Sequence, residues 1–352
     1  MALPDGTVRP AYAELHRELG RLGQSGVEAG LRSAQQYLRE AGVFYRSGGE
    51  NGERLWPLAL PPLVLAAAEW RRLEADLRQR ALYLEQLLAD LYGERRLVRE
   101  GLLPGLLVAD NPEFLRPLAS QGRSGRPLLR FIAVDLARGA DGHWQVVGDR
   151  TQAPSGAGFA LENRVATARA LPDLSRALNV QRLASFFARF RDELNRLNGS
   201  DGEARVGLLT PGPLNETYFE HAYLARYLGF HLLEGGDLAV ENDEVRLRTV
   251  DGPRPVRVLW RRLDADYADP LELFAGSYIG TPGLVRAVRA GRVDLVNALG
   301  SGLLDTPAFA AFEREAARAL IGEDLRLRSV ETAWDPDAGS SDPPAGWEAL
   351  AP

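Results

Sequence analysis

A strand, a helix and a second strand are encoded by Val206-Gly-Leu-Leu-Thr210-Pro-Gly-Pro-Leu-Asn-Glu216-Thr-Tyr-Phe-Glu-His-Ala-Tyr-Leu-Ala-Arg-Tyr-Leu228-Gly-Phe-His-Leu-Leu233. The apolar run 206–210 ends at Pro-Gly-Pro, which is typical of a buried strand followed by a turn. Residues 216–228 have helical spacing and stop at a glycine, and 230–233 is apolar again. Two strands joined through a helix pair in parallel, so the segment predicts an α/β sheet that binds ligands at the carboxyl ends of its strands.

The periodicity on either side extends this prediction. Strands are predicted over 245–250, 256–260 and 293–298 and a helix over 271–290, so the doubly wound sheet covers about 205–300. Upstream, the runs 128–134 and 144–147 flank Asp141-Gly142 and predict a β-hairpin. Helices are predicted over 12–46, 70–92, 161–170 and 180–197. The expected fold class is α/β, or α+β for the chain as a whole.

Composition narrows the range of functions. The chain has 352 residues, a net charge of −6 and no cysteine, and all 42 basic residues are arginine. An acidic chain does not suit a nucleic-acid or anionic-membrane surface, and the absence of cysteine and lysine excludes thiolate, Schiff-base and P-loop lysine chemistry. No signal peptide is expected at residues 1–10, and no apolar run is long enough to span a membrane. The cytoplasm is therefore the expected location.

The predicted hairpin carries a pair of carboxylates. A turn centred near Asp141 places Asp135 diagonally beside Asp149 on one face, about 5 to 8 Å apart. Two like charges at that distance need a cation, which can be a divalent metal held by oxygen ligands or the neighbouring Arg138 and Arg150. The alternative is a pair of solvated carboxylates that form ion pairs with those arginines.

A glycine-rich loop, Pro154-Ser155-Gly156-Ala157-Gly158, precedes a predicted helix. Such a loop can offer backbone N–H groups to an anion, and Glu162 and Asn163 add oxygen ligands on the helix. The alternative is an ordinary turn before a helix.

Two further clusters follow predicted strands. Asn215, Glu216 and Glu220 come after the first strand of the sheet, where an open α/β sheet binds ligands, although Asn215 can also be a helix N-cap. Arg261 and Arg262 follow another apolar strand and can clamp a carboxylate or phosphate. Their alternative role is an internal salt-bridge cluster with the nearby aspartates.

Several strings taken together resemble the circularly permuted type 2 ATP-grasp family, the branch related to glutathionylspermidine synthetase. The resemblance covers about 56–327. It is carried by Gln-Arg-Ala at 79–81, Asp-Leu-Tyr-Gly at 90–93, Asp-Arg-Thr-Gln-Ala-Pro-Ser-Gly-Ala-Gly at 149–158, Leu-Glu-Asn-Arg at 161–164, Leu-Leu-Thr-Pro-Gly-Pro at 208–213, Glu-His-Ala-Tyr-Leu-Ala-Arg-Tyr-Leu-Gly at 220–229, Glu-Gly-Gly-Asp-Leu at 234–238, Arg-Arg-Leu-Asp at 261–264, Asp-Pro-Leu-Glu-Leu at 269–273 and Asn-Ala-Leu-Gly-Ser-Gly at 297–302.

The resemblance implies an ATP-dependent carboxylate–amine ligase, in which ATP phosphorylates a carboxylate, an amine attacks the acyl phosphate and Mg²⁺ spans the phosphates. It implies four regions: a helical N-terminal region (1–125), the metal- and phosphate-binding half of the permuted ATP-grasp (126–198), a Rossmann-like pre-ATP-grasp substrate domain (204–328) and a polar tail (329–352). The implied roles are Mg²⁺ ligands (Asp135, Asp149), phosphate neutralisation (Arg138, Arg150), ATP contacts (Ser155, Gly156, Gly158, Glu162, Asn163) and contacts to a small-molecule or peptide substrate bearing a carboxylate and an amine (Asn215, Glu216, Glu220, Arg261, Arg262).

The chain departs from the family pattern at the metal site. The resemblance implies that active relatives carry a Glu-x-Asn motif on the second hairpin strand. At the corresponding position this chain has Gly148-Asp149-Arg150. The family also continues beyond the string that Thr332-Ala333-Trp334 partly resembles. Two hypotheses follow. In the first, the chain is part of an ATP-dependent ligase whose nucleotide site is completed by a partner chain or by a further part of the same chain. In the second, it is a pseudoenzyme that acts as a substrate-binding module or scaffold.

Overall fold

The computed structural model describes residues 6–46, 52–139, 141–199 and 204–335. The N-terminal region is mainly helical, as predicted. Its elements are α1 (Ala13–Glu40), the antiparallel pair β1 (Phe44–Arg46) and β2 (Glu53–Leu55), α2 (Ala67–Leu91), α3 (Arg96–Arg99) and α4 (Gly105–Ala109).

Helix α2 confirms the helix predicted over 70–92. Its buried stripe includes Leu73, Leu84, Leu88 and Leu91, at the i, i+4 and i+7 spacings that place side chains on one helix face. Arg80 lies seven residues after Leu73, on the same stripe, and is only 3% exposed. A buried cation on an apolar helix face requires a partner from the elements that pack against it.

The second region contains the predicted hairpin and three helices. They are β3 (Ala133–Arg138), β4 (Trp144–Arg150), α5 (Ala157–Ala170), α6 (Pro172–Ala177) and α7 (Ala184–Asn198). The pairing of β3 with β4 is antiparallel, with a register shift between Asp135 and Leu136. The prediction of a strand from residue 128 is wrong for its first half. Backbone N–H groups there bond instead to side chains: Leu128 and Leu129 to Glu85, and the next two residues to Asn297.

The third region contains the predicted sheet. Its elements are β5 (Arg205–Leu209), α8 (Tyr218–Leu228), β6 (His231–Leu233), β7 (Leu238–Glu241), β8 (Glu244–Leu247), β9 (Arg254–Arg261), α9 (Leu284–Arg289), β10 (Asp294–Val296) and α10 (Glu313–Ile321). The parallel strands run in the order β6-β5-β9-β10, and the antiparallel hairpin β7–β8 extends the edge beside the start of β9. The α/β prediction is confirmed. Strand order reverses between β5 and β9, so the carboxyl ends of these two strands form the switch point of the sheet.

The helix predicted over 271–290 is wrong for most of its length. Only α9 is α-helical, and the segment before it contains Pro270, Gly276, Gly280 and Pro282, which break helical hydrogen bonding. The buried carboxylate of Asp269 organises this segment by accepting hydrogen bonds from the backbone N–H groups of residues 271, 283 and 285.

Apolar side chains on both faces of the sheet hold the regions together. On one face Leu84 and Leu88 of α2 belong to the same buried cluster as Leu209 and Leu259 of the sheet. On the other face the cluster includes Phe187 of α7 with residues of β5 and β9. A third cluster joins α1 to α5 and α6. The N-terminal helices therefore share their cores with the later regions.

The C-terminal segment is ordered as far as the structure describes it. Val146 on β4 donates its N–H to the Arg328 carbonyl and accepts from the Val330 N–H. Residues 328–330 thus line the ribbon edge, so the first residues of the expected polar tail (329–352) pack against β4. The part of the expected tail from 336 to 352 lies outside the described residues. No described helix has the length and apolar character required to cross a membrane.

Candidate functional site

The candidate site lies at the switch point of the sheet. Thr210 follows β5, Arg261 ends β9 and Asn297 follows β10. These polar residues therefore lie at the carboxyl ends of three parallel strands, along the same edge of the sheet. The glycine-rich loop before α5 reaches this edge as well. Its residues meet the first turn of α8, where Glu220 lies.

Glu220 occupies the backbone donors of the glycine-rich loop. Its Oε1 accepts hydrogen bonds from the N–H groups of Gly156 and Gly158, both at 2.8 Å, and Oε2 lies 3.1 Å from the Gly156 nitrogen. The Glu220 side chain is fully buried. A Cβ on residue 158 would come within 2.9 Å of Glu220 Cγ, so glycine permits the close approach of α5 to α8. The loop does bind an anion, and that anion is a carboxylate of the protein itself.

Arg262 lies beside Glu220 in the interior. Its Nη2 is 3.3 Å from Glu220 Oε2, and its Nη1 donates to the Pro154 carbonyl. Burial lowers the pKa of Arg262, while the Glu220 carboxylate opposes that shift. The loop, the carboxylate and the guanidinium therefore form a closed buried unit. This corrects the expectation that Glu220 and Arg262 face a substrate.

Arg261 is also enclosed by the protein. Its guanidinium is fully buried and donates to the carbonyls of Leu263 at 2.6 Å and Gln152 at 2.8 Å, with longer bonds to the segment 297–301. Burial lowers its pKa to about 10. The side chain joins three segments at the sheet edge through backbone carbonyls, so the prediction of a substrate-facing Arg261 is corrected in the same way.

His221 is buried beside the same unit. One ring nitrogen lies 2.9 Å from Thr210 Oγ1 and the other 3.1 Å from Thr217 Oγ1. Burial, together with the positive charge of Arg262, lowers the pKa of His221 to about 2. The imidazole is therefore neutral at physiological pH and links β5 to the start of α8.

The register of the ribbon separates the two hairpin carboxylates. Asp135 is paired with Gly148, and Asp149 is paired with Val134, so the two acidic side chains project from opposite faces. The prediction that Asp135 and Asp149 lie diagonally on one face of the hairpin is therefore wrong. The bulge after Asp135 shifts the register by one residue, and such a shift reverses the face of every later side chain.

Each carboxylate has its own arginine. Arg150 donates to Asp135 at 2.8 Å on the exposed face of the ribbon. On the opposite face, Arg80 of α2 makes a bidentate pair with Asp149 at 2.6 and 2.7 Å. Arg80 also contacts Glu313 and Ser329, so this second pair is the partner that the buried cation of α2 requires. The alternative of ion-paired carboxylates accounts for both residues.

The other residues expected to contact ATP are placed as follows. Arg138 pairs with Glu69 of α2 and stacks on Trp144, with 4.5 Å from the guanidinium carbon to the ring centre. On α5, Glu162 accepts a hydrogen bond from Tyr37 at 2.6 Å, and Asn163 accepts one from Trp56 at 2.9 Å. These contacts attach the ribbon and α5 to the N-terminal region. Ser155, by contrast, is exposed.

The described residues do not fit a magnesium ion at the ribbon or a nucleotide phosphate at the glycine-rich loop. No group of three or more acidic or histidine side chains in the described ranges has metal-binding geometry. The ribbon carboxylates are separated and paired with arginines, and Glu220 takes the loop donors. An acidic rim is nevertheless present beside Arg261: Glu113, Asp264 and Asp305 interact with its charge, and partial burial raises the pKa of each carboxyl group.

Asn215 and Glu216 are placed differently from the buried unit. Both line a cavity of about 300 Å³ between β1 and α8. The Asn215 side-chain oxygen accepts bonds from the backbone N–H and hydroxyl of Thr217. Thr217 itself is the N-cap of α8, so the alternative that Asn215 is the N-cap is wrong, and Asn215 lies two residues before the cap. Of the five residues predicted to contact substrate, only these two border an open space in the described structure.

Two residues that organise the site have no predicted role. Arg80 was detectable as a charge on an apolar helical stripe, which signals a buried partner elsewhere. Asn297 accepts from the N–H groups of Arg130 and Phe131 and donates to the carbonyls of Phe131 and Thr151. In the sequence, the only indication of a role for Asn297 is that a polar residue directly follows an apolar strand. Its hydrogen-bond partners lie far away in sequence, so no local pattern reveals them.

These features define an α/β protein with a β-ribbon and a glycine-rich loop packed against the switch point of a parallel sheet. Residues 62–342 match the model of the circularly permuted ATP-grasp type 2 family. That match covers most of the chain, so the chain belongs to this family.

The chain is also similar to curated proteins and to a solved structure. An uncharacterized protein of Mycobacterium tuberculosis is 36% identical over 343 residues, which are 94% of this chain and 39% of the relative. An uncharacterized protein of Synechocystis is 34% identical and covers 93% of this chain, which spans 69% of it. A glutathione synthetase-like effector from Globodera pallida, in its apo form, has the same fold: its TM-score is 0.54 at 13% identity, with 92% of this chain and 70% of that chain covered. The chain thus spans well under half of the first relative.

Proposed function

We infer that the chain forms the substrate-holding part of an ATP-dependent carboxylate–amine ligase, and that nucleotide and Mg²⁺ are bound with the help of other residues, supplied by a partner chain. The family supports the reaction class, because ATP-grasp ligases join a carboxylate to an amine. We propose the cytoplasm as its location, where ATP is available.

The observation that carries this proposal is the Glu220 carboxylate on the donors of the glycine-rich loop. An incoming phosphate would have to displace an internal anion that two backbone N–H groups and Arg262 hold in place. Breaking such a buried arrangement costs about 3 to 5 kcal/mol. The binding free energy of a weakly held nucleotide does not offset this cost. The described residues are therefore suited to support a site rather than to hold the phosphates themselves.

Isothermal titration of the purified chain with Mg²⁺ and a non-hydrolysable ATP analogue tests whether the chain alone binds the nucleotide. We expect no saturable heat at about millimolar ligand. Saturable binding at about micromolar concentration would contradict the proposal, because it would show a nucleotide site complete within this chain.

The second candidate is a catalytically inactive scaffold, and the ion-paired ribbon carboxylates favour it. Arg150 and Arg80 already neutralise the two residues that the resemblance assigns to Mg²⁺. To separate the candidates, the chain is purified from its own cells together with any bound partner and supplied with Mg-ATP, amino acids and short peptides. ADP release that depends on a carboxylate and an amine supports the ligase. If this complex does not hydrolyse ATP under these conditions, the result supports the scaffold.

A further inference from the structure

A run of exposed apolar side chains lies on the segment between β9 and α9. Tyr278 is 99% exposed and Leu271 is 73% exposed. Phe274 and Tyr267 are exposed as well, with their ring centres 5.3 Å apart. Soluble proteins rarely expose large apolar side chains side by side, and such a patch marks a surface that another molecule covers. We call these four residues the apolar patch.

The backbone beneath the apolar patch is fixed by buried polar groups. The Ser277 hydroxyl donates to the Tyr267 carbonyl at 2.7 Å, and the Phe274 N–H donates to the Asp266 carbonyl at 3.1 Å. The carboxylate of Asp269 accepts three further N–H groups of the same segment and the start of α9. The outward position of the apolar side chains is therefore a property of the fold, because their backbone is held from within.

An acidic groove borders the apolar patch. It has a volume of about 570 Å³, and its charged lining consists of three carboxylates and one guanidinium. Two of the carboxylates, on Asp110 and Asp266, make no hydrogen bond or ion pair within the part of the chain that the structure describes. The third, on Glu272, pairs with Arg289 at 2.9 Å. The groove thus has a net negative charge, and two of its carboxylates are available to cationic groups of another molecule.

The apolar patch and the groove lie beside the candidate site. The segment that carries them begins directly after β9, whose last residue is Arg261. The charge of Asp264 acts on Arg261, and the Ala265 N–H donates to the Gln152 side chain at 3.0 Å, two residues before the glycine-rich loop. A molecule seated on the patch is therefore adjacent to the carboxyl edge of the sheet.

Charge and the length of the relatives indicate what covers the patch. A membrane surface with anionic lipids does not suit a negatively charged groove, because like charges repel. Aromatic and arginine side chains are enriched in protein interfaces, and both suit an apolar patch beside carboxylates. The larger part of the Mycobacterium tuberculosis relative lies outside the residues matched to this chain. A protein equivalent to that part needs a surface here in order to act at the same site.

We propose that the apolar patch and the acidic groove dock a partner chain that presents apolar side chains flanked by lysine or arginine, and that this partner is related to the unmatched part of the longer relatives. Its apolar side chains cover Leu271, Phe274 and Tyr278, and its cations pair with Asp110 and Asp266. The proposal rests on the function inferred above and deepens it, because it states where the chain that completes the nucleotide site binds.

Site-specific photo-cross-linking in the cells that produce the chain tests the docking surface. Photo-reactive p-benzoylphenylalanine replaces Tyr278 in the full chain, and the matched control carries it in place of Val250. Val250 is equally exposed but precedes β9, at the opposite end of that strand from the patch. We expect an adduct with one partner chain at position 278 and none at position 250. The cross-linked peptide should contain lysine or arginine, and its chain should match the longer relatives outside the residues that they share with this chain.

The purified complex then tests whether the patch supplies binding free energy. L271D places a carboxylate in the apolar patch and should weaken binding about tenfold or more, as expected for an apolar anchor of an interface. V250D makes the same change outside the patch and should leave the dissociation constant unchanged. D266N should reduce the dependence of the dissociation constant on salt, because it removes one of the paired charges. Circular dichroism and thermal unfolding verify that the variants are folded.

Any of four results would overturn the proposal: no adduct specific to position 278, an adduct only with a second copy of the chain, a partner without the stated sequence match or basic peptide, or equal affinities of L271D and V250D. The outcome is distinguishable from that of the proposed function. A docked complex that does not turn over ATP contradicts the ligase and supports the surface, whereas an active complex whose adduct forms elsewhere contradicts only the surface.

Discussion

Asp135 and Asp149 project from opposite faces of the β3–β4 ribbon, one toward the exposed side and the other toward α2. This relationship separates two residues that the sequence places in one metal site. It also predicts that the two carboxylates contribute very differently to stability, since one arginine pair is exposed and the other is buried.

The substitutions D135N and D149N form a matched pair. The Asp149–Arg80 side chains are 9% and 4% exposed, so D149N removes the bidentate partner of a buried guanidinium and leaves it only the longer contact to Glu313. It should therefore lower the free energy of unfolding by about 3 kcal/mol. The Asp135–Arg150 pair is about half exposed, so D135N should cost about 1 kcal/mol or less. Urea unfolding measures both. Equal losses would contradict the assignment of the two residues to different faces.

Loss of the Glu220 charge should be among the most damaging single changes. E220Q removes the partner of the buried Arg262 and weakens the acceptor of two backbone N–H groups, which predicts a loss of about 3 to 5 kcal/mol in chemical unfolding. E193Q, which removes an exposed carboxylate on α7, is the control and should change stability little. A neutral effect of E220Q would show that the loop does not depend on this carboxylate.

Glycine at position 158 should be required for the contact between α5 and α8. G158A places a methyl group within 2.9 Å of Glu220 Cγ and 3.3 Å of Leu224 Cγ, and such overpacking costs about 1 to 3 kcal/mol. G20A, on α1, has open space around the added Cβ and should be neutral or stabilising by up to about 1 kcal/mol, because alanine favours helix. Thermal unfolding compares the two, and a tolerated G158A would argue against a close-packed loop.

The buried His221 predicts a loss of stability in mild acid. Its folded pKa is about 2 and the ordinary value is 6.5, so only the unfolded chain takes up this proton between those values. The stabilisation is complete above pH 6.5 and falls by about 1.4 kcal/mol per pH unit below it. The difference between the native chain and H221Q, measured from pH 7.5 to 5, should follow this slope. H16Q, on exposed α1, should not alter it, and a difference independent of pH would contradict a neutral buried ring.

The sequence predicts the sheet well because β5, α8 and β6 are adjacent in the chain and their apolar periodicity is local. The ribbon shows the limit of such reasoning. Asp141-Gly142 marks the turn, but the bulge after Asp135 has no local signature, and one residue of slip moves a side chain to the other face. The register therefore depends on packing of Val146 against α2 and residues 328–330, which are distant in sequence.

The sequence predicts which residues meet at the candidate site, but it does not predict whether their side chains are buried or exposed. Glu220, Arg261 and Arg262 do converge at the carboxyl edge of the sheet, as the strand pattern indicates. Whether they face solvent or one another depends on the glycine-rich loop about sixty residues upstream of α8, which fills the edge. Charged residues directly after apolar strands can serve either purpose, and only the three-dimensional contacts distinguish them.

The central claim is that the anion-binding groups of the glycine-rich loop are already occupied by Glu220. The most direct test is to follow the backbone amide signals of Gly156 and Gly158 by nuclear magnetic resonance while Mg²⁺ and a non-hydrolysable ATP analogue, or pyrophosphate, are added to the isotopically labelled chain. We predict that both signals keep their positions throughout the titration. Saturable movement of both signals, with release of the Glu220 carboxylate, would contradict the account.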